Sequence, residues 1–195
     1  MADRVIVVDR DGVINEDSED YVRSLADWRP IPGSIEAMAA LSRAGNMLAI
    51  ATNQSGLGRG YFGLDELEAI HGELRRQVEA LGGQLAGIFY CPHLPDEGCS
   101  CRKPGTGLLQ AMAVELGVSP RGALFIGDSL KDLQAARAYG CRPVLVRSGK
   151  GAATEKLLHS SNPGLDNPEQ VPVYDNLAAA AIAILEQEPA PKRDI

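Results

Sequence analysis

The sequence predicts an α/β protein built on one doubly wound, Rossmann-like and mainly parallel sheet. Short β-branched runs alternate with longer segments of helical periodicity, and that alternation predicts parallel strands joined by right-handed crossovers. The chain has 195 residues, 45% of them apolar, which suits one globular domain with its own core.

Residues 4–9 (RVIVVD) read as a buried first strand. Residues 33–44 place Ile35, Met38 and Leu41 at helical spacing, and Gly45 supplies a stop. A second strand is expected at 47–52 (MLAIAT), a long amphipathic helix at 64–81 and a third strand at 85–90 (LAGIFY). A helix over 106–116, a strand at 123–127 (ALFIG), a helix over 130–139 and a strand at 143–147 (PVLVR) follow. Segment 163–172 is polar, carries three prolines and reads as a surface loop. A short last strand is expected at 171–174 and a final helix at 177–186. Residues 1–187 are thus read as a single domain and 188–195 as a flexible tail.

The formal net charge is −7, so the overall field does not draw the chain to nucleic acid or to an anionic membrane. The N-terminus lacks a basic segment followed by a long apolar run, and no apolar run approaches the roughly 20 residues that span a bilayer. A cytoplasmic, reducing location is therefore expected. No large apolar face is left unassigned, so a monomer is expected.

Ligands of such sheets gather at the carboxyl ends of the strands, near a reversal of strand order. Asp9 and Asp11 follow the first strand, Thr52 and Asn53 the second; the third delivers Arg102 and Lys103, and the next Asp128 and Asp132. Asp9 and Asp11, two apart, share one face of an extended chain. Asp128 and Asp132, four apart, share one face of a helix start. Converging carboxylates raise one another's pKa, and a hard dication such as Mg²⁺ relieves that repulsion. Thr52, Asn53 and the following Ser55–Gly58 offer hydroxyl and backbone N–H groups to phosphate oxygens. Lys103 adds a point charge and Arg102 a fork. Metal, hydroxyl and cation around a carboxylate nucleophile describe phosphoryl transfer through an aspartyl-phosphate. Singly, these residues serve turns and helix caps equally well; their joint position at four strand ends is what makes them one site.

Three of the four cysteines lie in one loop, as Cys91-x-His93-x₅-Cys99-x-Cys101. In a reducing compartment such a cluster is a metal site more often than a disulfide. Cys₃His is a closed tetrahedral zinc set with no open position for a reacting water, so structural Zn²⁺ is expected, against the plainer alternative of metal-free loop cysteines. Cys141 reads as a buried inert thiol. His71 and His159 have no evident partners and are placed on solvated faces.

The set DRDGV (Asp9 to Val13), Thr52, Lys103 and GDSLKD (Gly127 to Asp132) resembles the haloacid dehalogenase-like phosphatases. Segments DRDGVIN, ATNQSGLGRG, the cysteine loop with RKPGTGLL, and IGDSLKDLQAA resemble the branch of heptose 1,7-bisphosphate 7-phosphatases, whose nearest relatives are histidinol-phosphate phosphatases. The resemblance implies Asp9 as nucleophile and Mg²⁺ ligand, and Asp11 as general acid and then base, with its backbone carbonyl on the metal. It implies Thr52 and Lys103 on phosphoryl oxygens, assisted by Arg102, and Asp128 completing the Mg²⁺ site. Asp132 would orient Lys103 or a metal-bound water.

About 40 residues separate Asp11 from Thr52, and Thr52 to Lys103 accommodates one helix, one strand and the zinc loop, so neither gap holds the cap domain of many relatives. Loops 16–21 and 53–60 and the zinc loop are left to set specificity. Asp17, Ser18 and Tyr21 are expected on sugar hydroxyls, with Asn53, Gln54, Ser55, Arg102 and Lys103 also lining the substrate. Arg59 reads as a plain surface arginine, with a contact to a second phosphate as the alternative. The function implied is Mg²⁺-dependent removal of the C7 phosphate of a heptose 1,7-bisphosphate, a step toward activated heptose for bacterial surface polysaccharide. Histidinol-phosphate hydrolysis is the alternative enzyme, and a zinc-stabilised, catalytically silent sugar-phosphate binder the alternative of another class. A pure binder has no need of the Asp9/Asp11 pair, and a polynucleotide 3′-phosphatase does not suit the acidic charge.

Overall fold

In the computed structural model, which describes residues 4–187, strands and helices alternate as the periodicity predicts. The strands are β1 (Arg4–Val8), β2 (Asn46–Asn53), β3 (Leu85–Cys91), β4 (Leu124–Gly127), β5 (Arg142–Val146) and β6 (Val173–Tyr174). The helices are α1 (Ser34–Arg43), a single turn α2 (Ser55–Gly58), α3 (Leu64–Ala80), α4 (Gly107–Leu116), α5 (Leu130–Tyr139), α6 (Gly151–Leu158) and α7 (Leu177–Gln187). All six strands pair in parallel, in the order β3-β2-β1-β4-β5-β6. The chain steps outward from β1 to β3 and then returns to the other side of β1. The reversal of order lies between β1 and β4, where a crevice opens at the strand ends.

Alternate residues of a strand point to opposite faces, and the core divides accordingly. Ile6 and Val8 of β1, Leu48 and Ile50 of β2 and Ile126 of β4 join Met38 and Leu41 of α1, Ile70 and Leu74 of α3 and Leu177 of α7. Val5, Val7, Ala49, Ala51 and Phe125 face the other way, onto Leu109 and Met112 of α4 and Ala135 and Ala136 of α5. Both faces of β1 are therefore apolar, which is why RVIVV shows no polar alternation.

The structure adds one helix to the sequence reading and shortens its last strand. Helix α6 was not expected: it is short and enters from a Gly-containing turn, so it carries little periodic signal. Segment 163–172 is irregular apart from one 3₁₀ turn at Pro168–Gln170, and β6 keeps only two residues of the expected strand. The 188–195 tail lies outside the described residues. Among the described residues, only α1 stands between β1 and β2 and only α2 and α3 between β2 and β3, so no cap domain is present. No helix among the described residues is long and apolar enough to cross a membrane.

Candidate active site

The ends of β1, β2 and β4 and the loop leaving β3 converge on one cleft of about 550 Å³. It is lined by Asp9, Asp11, Asp17, Ser18, Tyr21, Thr52, Asn53, Gln54, Ser55, Arg102, Lys103, Asp128 and Asp132, so every expected catalytic and substrate position comes together. Arg59 is exposed and outside this lining.

Lys103 is the centre of the charge arrangement. Its ammonium lies 2.8 Å from Asp9 Oδ1 and 2.5 Å from Asp132 Oδ1, and it donates to the Ala51 carbonyl at 2.8 Å. Burial opposes a charged lysine, but Asp132 and Asp9 outweigh it and hold Lys103 protonated, above its ordinary range. Asp132 is spent on this and on its own helix start: its Oδ2 accepts from the Ser129 N–H and hydroxyl, at 3.0 and 2.6 Å. The ion pair places Asp132 against Lys103, one of the two partners the sequence suggested for it. Lys103 arrives from edge strand β3 by crossing the end of β2, where the Asn53 amide grips both its backbone groups, accepting from the N–H at 3.0 Å and donating to the carbonyl at 3.2 Å.

Asp9, Asp128 and Asp132 are all buried, and they offer carboxylate oxygens within 4.8 Å of one another. Burial, with Asp132 beside it, pushes Asp9 well above the usual carboxylate range and Asp128 up to about 7. A set of hard oxygen donors that repel one another in a buried place fits a dication. Both Asp132 oxygens are engaged, whereas Asp9 uses Oδ1 and Asp128 uses Oδ2, so the remaining oxygen of each could hold such an ion. Asp128 is steadied by the Lys150 N–H on Oδ2 at 2.8 Å, and the Thr154 hydroxyl donates to its carbonyl at 2.8 Å. Gly12 and Gly149, both at positive φ, leave the room that the Asp128 carboxylate occupies. Lys150, Thr154 and Gly149 escaped the sequence reading because α6 did; the GKG at 149–151 was the available signal.

The Asp11 carboxylate turns away from this acid cluster. Arg10 Nε and Nη2 donate to it at 3.0–3.1 Å, Asn15 Nδ2 at 2.9 Å and Gln54 Nε2 at 2.8 Å. Burial works against its charge, yet Arg10, Asn15 and Gln54 prevail and hold the carboxyl below its ordinary value. Gln54 also donates to Thr52 Oγ1 at 2.9 Å and accepts from Arg10 at 3.0 Å, so its amide is committed to holding three neighbours. Asp17 pairs with Lys150 at 2.6 Å. The Tyr21 hydroxyl sits below the usual phenol range, first through a hydrogen bond with Ser55 and further through Arg59 and Arg102.

One expectation is overturned. His71 is buried, not solvated: its helix turns it inward, and its Nε2 lies 3.3 Å from Arg10 Nη1. Burial, with Arg10 next, lowers its pKa to about 3. Cys141 is a buried thiol as expected, and His159 is exposed.

In the loop after β3, Cys91, His93, Cys99 and Cys101 bring their ligand atoms within 4.8 Å of one another. Five of the six pairwise edges measure 3.1–3.6 Å. A tetrahedron with Zn–S bonds of about 2.3 Å has S···S edges of about 3.8 Å, whereas a disulfide needs about 2.05 Å. The four residues therefore fit a tetrahedral soft-metal site. Arg102 Nη1 donates to the His93 carbonyl at 3.2 Å, tying the loop to the cleft.

The reversal of strand order, with acids, hydroxyl and lysine at its four strand ends, defines a haloacid-dehalogenase-like hydrolase. The Hydrolase_like family model, described as "HAD-hyrolase-like", matches residues 100–180. A D-glycero-beta-D-manno-heptose-1,7-bisphosphate 7-phosphatase of Pseudomonas aeruginosa is 50% identical over 95% of this chain and 100% of its own length. One from Neisseria meningitidis serogroup A is 40% identical over 98% and 100%. The crystal structure of D,D-heptose 1,7-bisphosphate phosphatase from B. bronchiseptica, complexed with magnesium and phosphate, superposes with a TM-score of 0.85 at 42% identity, covering 95% of this chain and 99% of that one. The chain belongs to the D-glycero-beta-D-manno-heptose-1,7-bisphosphate 7-phosphatase family and is a phosphatase.

Proposed function

We propose that the protein removes the C7 phosphate of D-glycero-β-D-manno-heptose 1,7-bisphosphate, with Mg²⁺ as catalytic cofactor and Zn²⁺ as loop brace. The product would feed activated heptose for surface polysaccharide. The observation that carries the chemistry is the pairing at the β1 end: a buried Asp9 beside Lys103, two residues from an Asp11 fixed on the cleft wall by Arg10, Asn15 and Gln54. The substrate choice is supported by relatives bearing that name at 40–50% identity over nearly the whole chain.

Asp9 is the nucleophile, and Lys103, held by Asp132, opposes the effect of burial on its carboxyl and neutralises the incoming phosphoryl oxygens. Thr52 Oγ1, oriented by Gln54, donates to one of those oxygens, and Arg102 reaches another from the loop. As the P–O bond to C7 breaks, its electron pair passes to the leaving oxygen, which takes the proton of Asp11. Asp11 then takes a proton from the water that hydrolyses the phosphoryl-Asp9. The carboxylate form favoured by Arg10 serves this second half. A phosphate dianion arriving beside Asp11 pushes its pKa up and serves the first. Mg²⁺, held by Asp9, Asp128 and the Asp11 backbone carbonyl, would supply charge neutralisation to the transferring group. Asp17, Ser18 and Tyr21 line the outer cleft, where the sugar would lie. Asn53, Gln54 and Ser55 contribute to the wall beneath it.

The test is kcat/KM on the β and α anomers of the heptose bisphosphate and on histidinol phosphate, with Asp9→Asn as the background. The β anomer should lead by at least tenfold. Preference for histidinol phosphate would overturn the substrate assignment, and turnover retained by Asp9→Asn would overturn the nucleophile.

A further inference from the structure

Arg10, the residue between the two aspartates, heads the fully buried side chains by volume among the described residues. A charge removed from water has to be paired and hydrogen-bonded. Two of its nitrogens grip Asp11 and one of these also reaches Gln54, which leaves Nη1, and Nη1 faces His71 Nε2 at 3.3 Å. A guanidinium has donors only, so the contact assigns Nε2 as acceptor and His71 as neutral, with its proton on Nδ1. His71 is carried by α3, beside Leu67, Ile70, Leu74 and Val78, which are all buried. Its ring also lies against Tyr90 of β3, centroids 5.8 Å apart. A line of contacts therefore runs from a packed helix through His71 and Arg10 to the Asp11 carboxylate.

We propose that Arg10 and His71 are positioning residues for proton transfer: His71 fixes the guanidinium, and the guanidinium fixes the orientation of the Asp11 carboxylate toward the leaving oxygen. This rests on the reading of Asp11 as general acid. Asn15 and Gln54 each give Asp11 one donor from a flexible-ended amide; Arg10 alone contacts both of its oxygens. General acid catalysis contributes about 10²–10⁴-fold, and a loosened acid forfeits part of it.

A merely structural role would lower activity on every ester alike. A positioning role depends on the leaving group, because an alkoxide needs the Asp11 proton to depart and a nitrophenolate does not. Because kcat/KM reports the steps up to formation of the phosphoryl-Asp9, it isolates that departure. The magnesium-loaded full chain and its variants are to be compared on the alkyl ester heptose bisphosphate and on p-nitrophenyl phosphate. His71→Met should lose about tenfold on the alkyl ester and less than threefold on the aryl ester. His71→Gln, which keeps an acceptor, should recover most of the alkyl rate. Arg10→Lys, which keeps the charge without the fork, gives the same comparison should His71→Met not fold, with a larger alkyl loss of about a hundredfold. Equal losses on both esters in either folded variant would overturn the inference. Asp11→Asn separates the two readings. If it discriminates between the esters and the Arg10 and His71 variants do not, positioning alone falls; if it does not discriminate, the general-acid reading falls with it.

Discussion

Gly149→Ala tests how closely the acid cluster is shaped by backbone alone. Gly149 has φ +59, and a Cβ there would stand 2.5 Å from the Gly12 Cα and 3.0 Å from the Gly12 carbonyl oxygen, with the Asp128 carboxylate nearer still. Ordinary contact begins at 3.4 Å, so the turns after β1 and β5 must part by about 0.9 Å, and Asp128 must retreat by more. The left-handed backbone adds about 1–2 kcal/mol of strain for a residue with a side chain, which in a chain of this length lowers Tm by about 2–8 °C. A displacement near 1 Å at reacting groups costs about a hundredfold in rate, and a disturbed metal environment costs about tenfold or more in affinity. The assay is initial rate against Mg²⁺ concentration, with circular dichroism and a melting curve on the same preparation. A folded variant should show half-saturation at about ten times more Mg²⁺ and about a hundredfold lower kcat/KM at saturation. A destabilised but folded variant with wild-type Mg²⁺ dependence would refute the placing of Asp128 on the metal.

Stripping zinc should lower kcat/KM by about tenfold, equivalent to about 1.4 kcal/mol, by loosening Arg102 and Lys103 while Asn53 and Asp132 still hold the lysine. Metal content by mass spectrometry, with rates before and after re-addition, checks this, and full activity in zinc-free protein would refute the brace. Burial of neutral His71 should make stability depend on pH. Its folded pKa, about 3, lies below its ordinary 6.5, so the contribution is complete above pH 6.5 and is lost as pH falls toward 3. Between pH 7.5 and 5.5 the wild type should therefore lose about 1.4 kcal/mol more than His71→Gln in urea denaturation; a constant gap would show that the imidazole is not held neutral.

What the sequence disclosed was whatever had a short-range signature. The ends of β1, β2 and β4 are marked by DRDG, TNQ and GDS after apolar runs, and the metal loop by four ligands in eleven residues. What it concealed depended on which way a polar residue points. Arg10 looked like the spacer of an Asp-x-Asp pair, and nothing local says that its side chain folds under the site. His71 reads as solvated because the sequence shows it no partner. Yet Leu67, Ile70, Leu74 and Val78 mark the buried stripe, and position 71 falls within it at 3.6-residue spacing. Counting that stripe would have found it. The Lys150 and Thr154 support of Asp128 joins segments 22 and 26 residues apart, a pairing no local pattern predicts.

The loop after β3 has a property that bears on how such enzymes diversify. Its ligands come in two pairs, Cys91 with His93 at the departing stem and Cys99 with Cys101 at the returning one. A metal joining the pairs would close the intervening tip into a side ring, most of it, Pro95 to Gly98, exposed to solvent. Changes of length in that ring would be absorbed before they reached Lys103, two residues beyond the last ligand. The tip is thus where changes of length leave the lysine in register with Asp9.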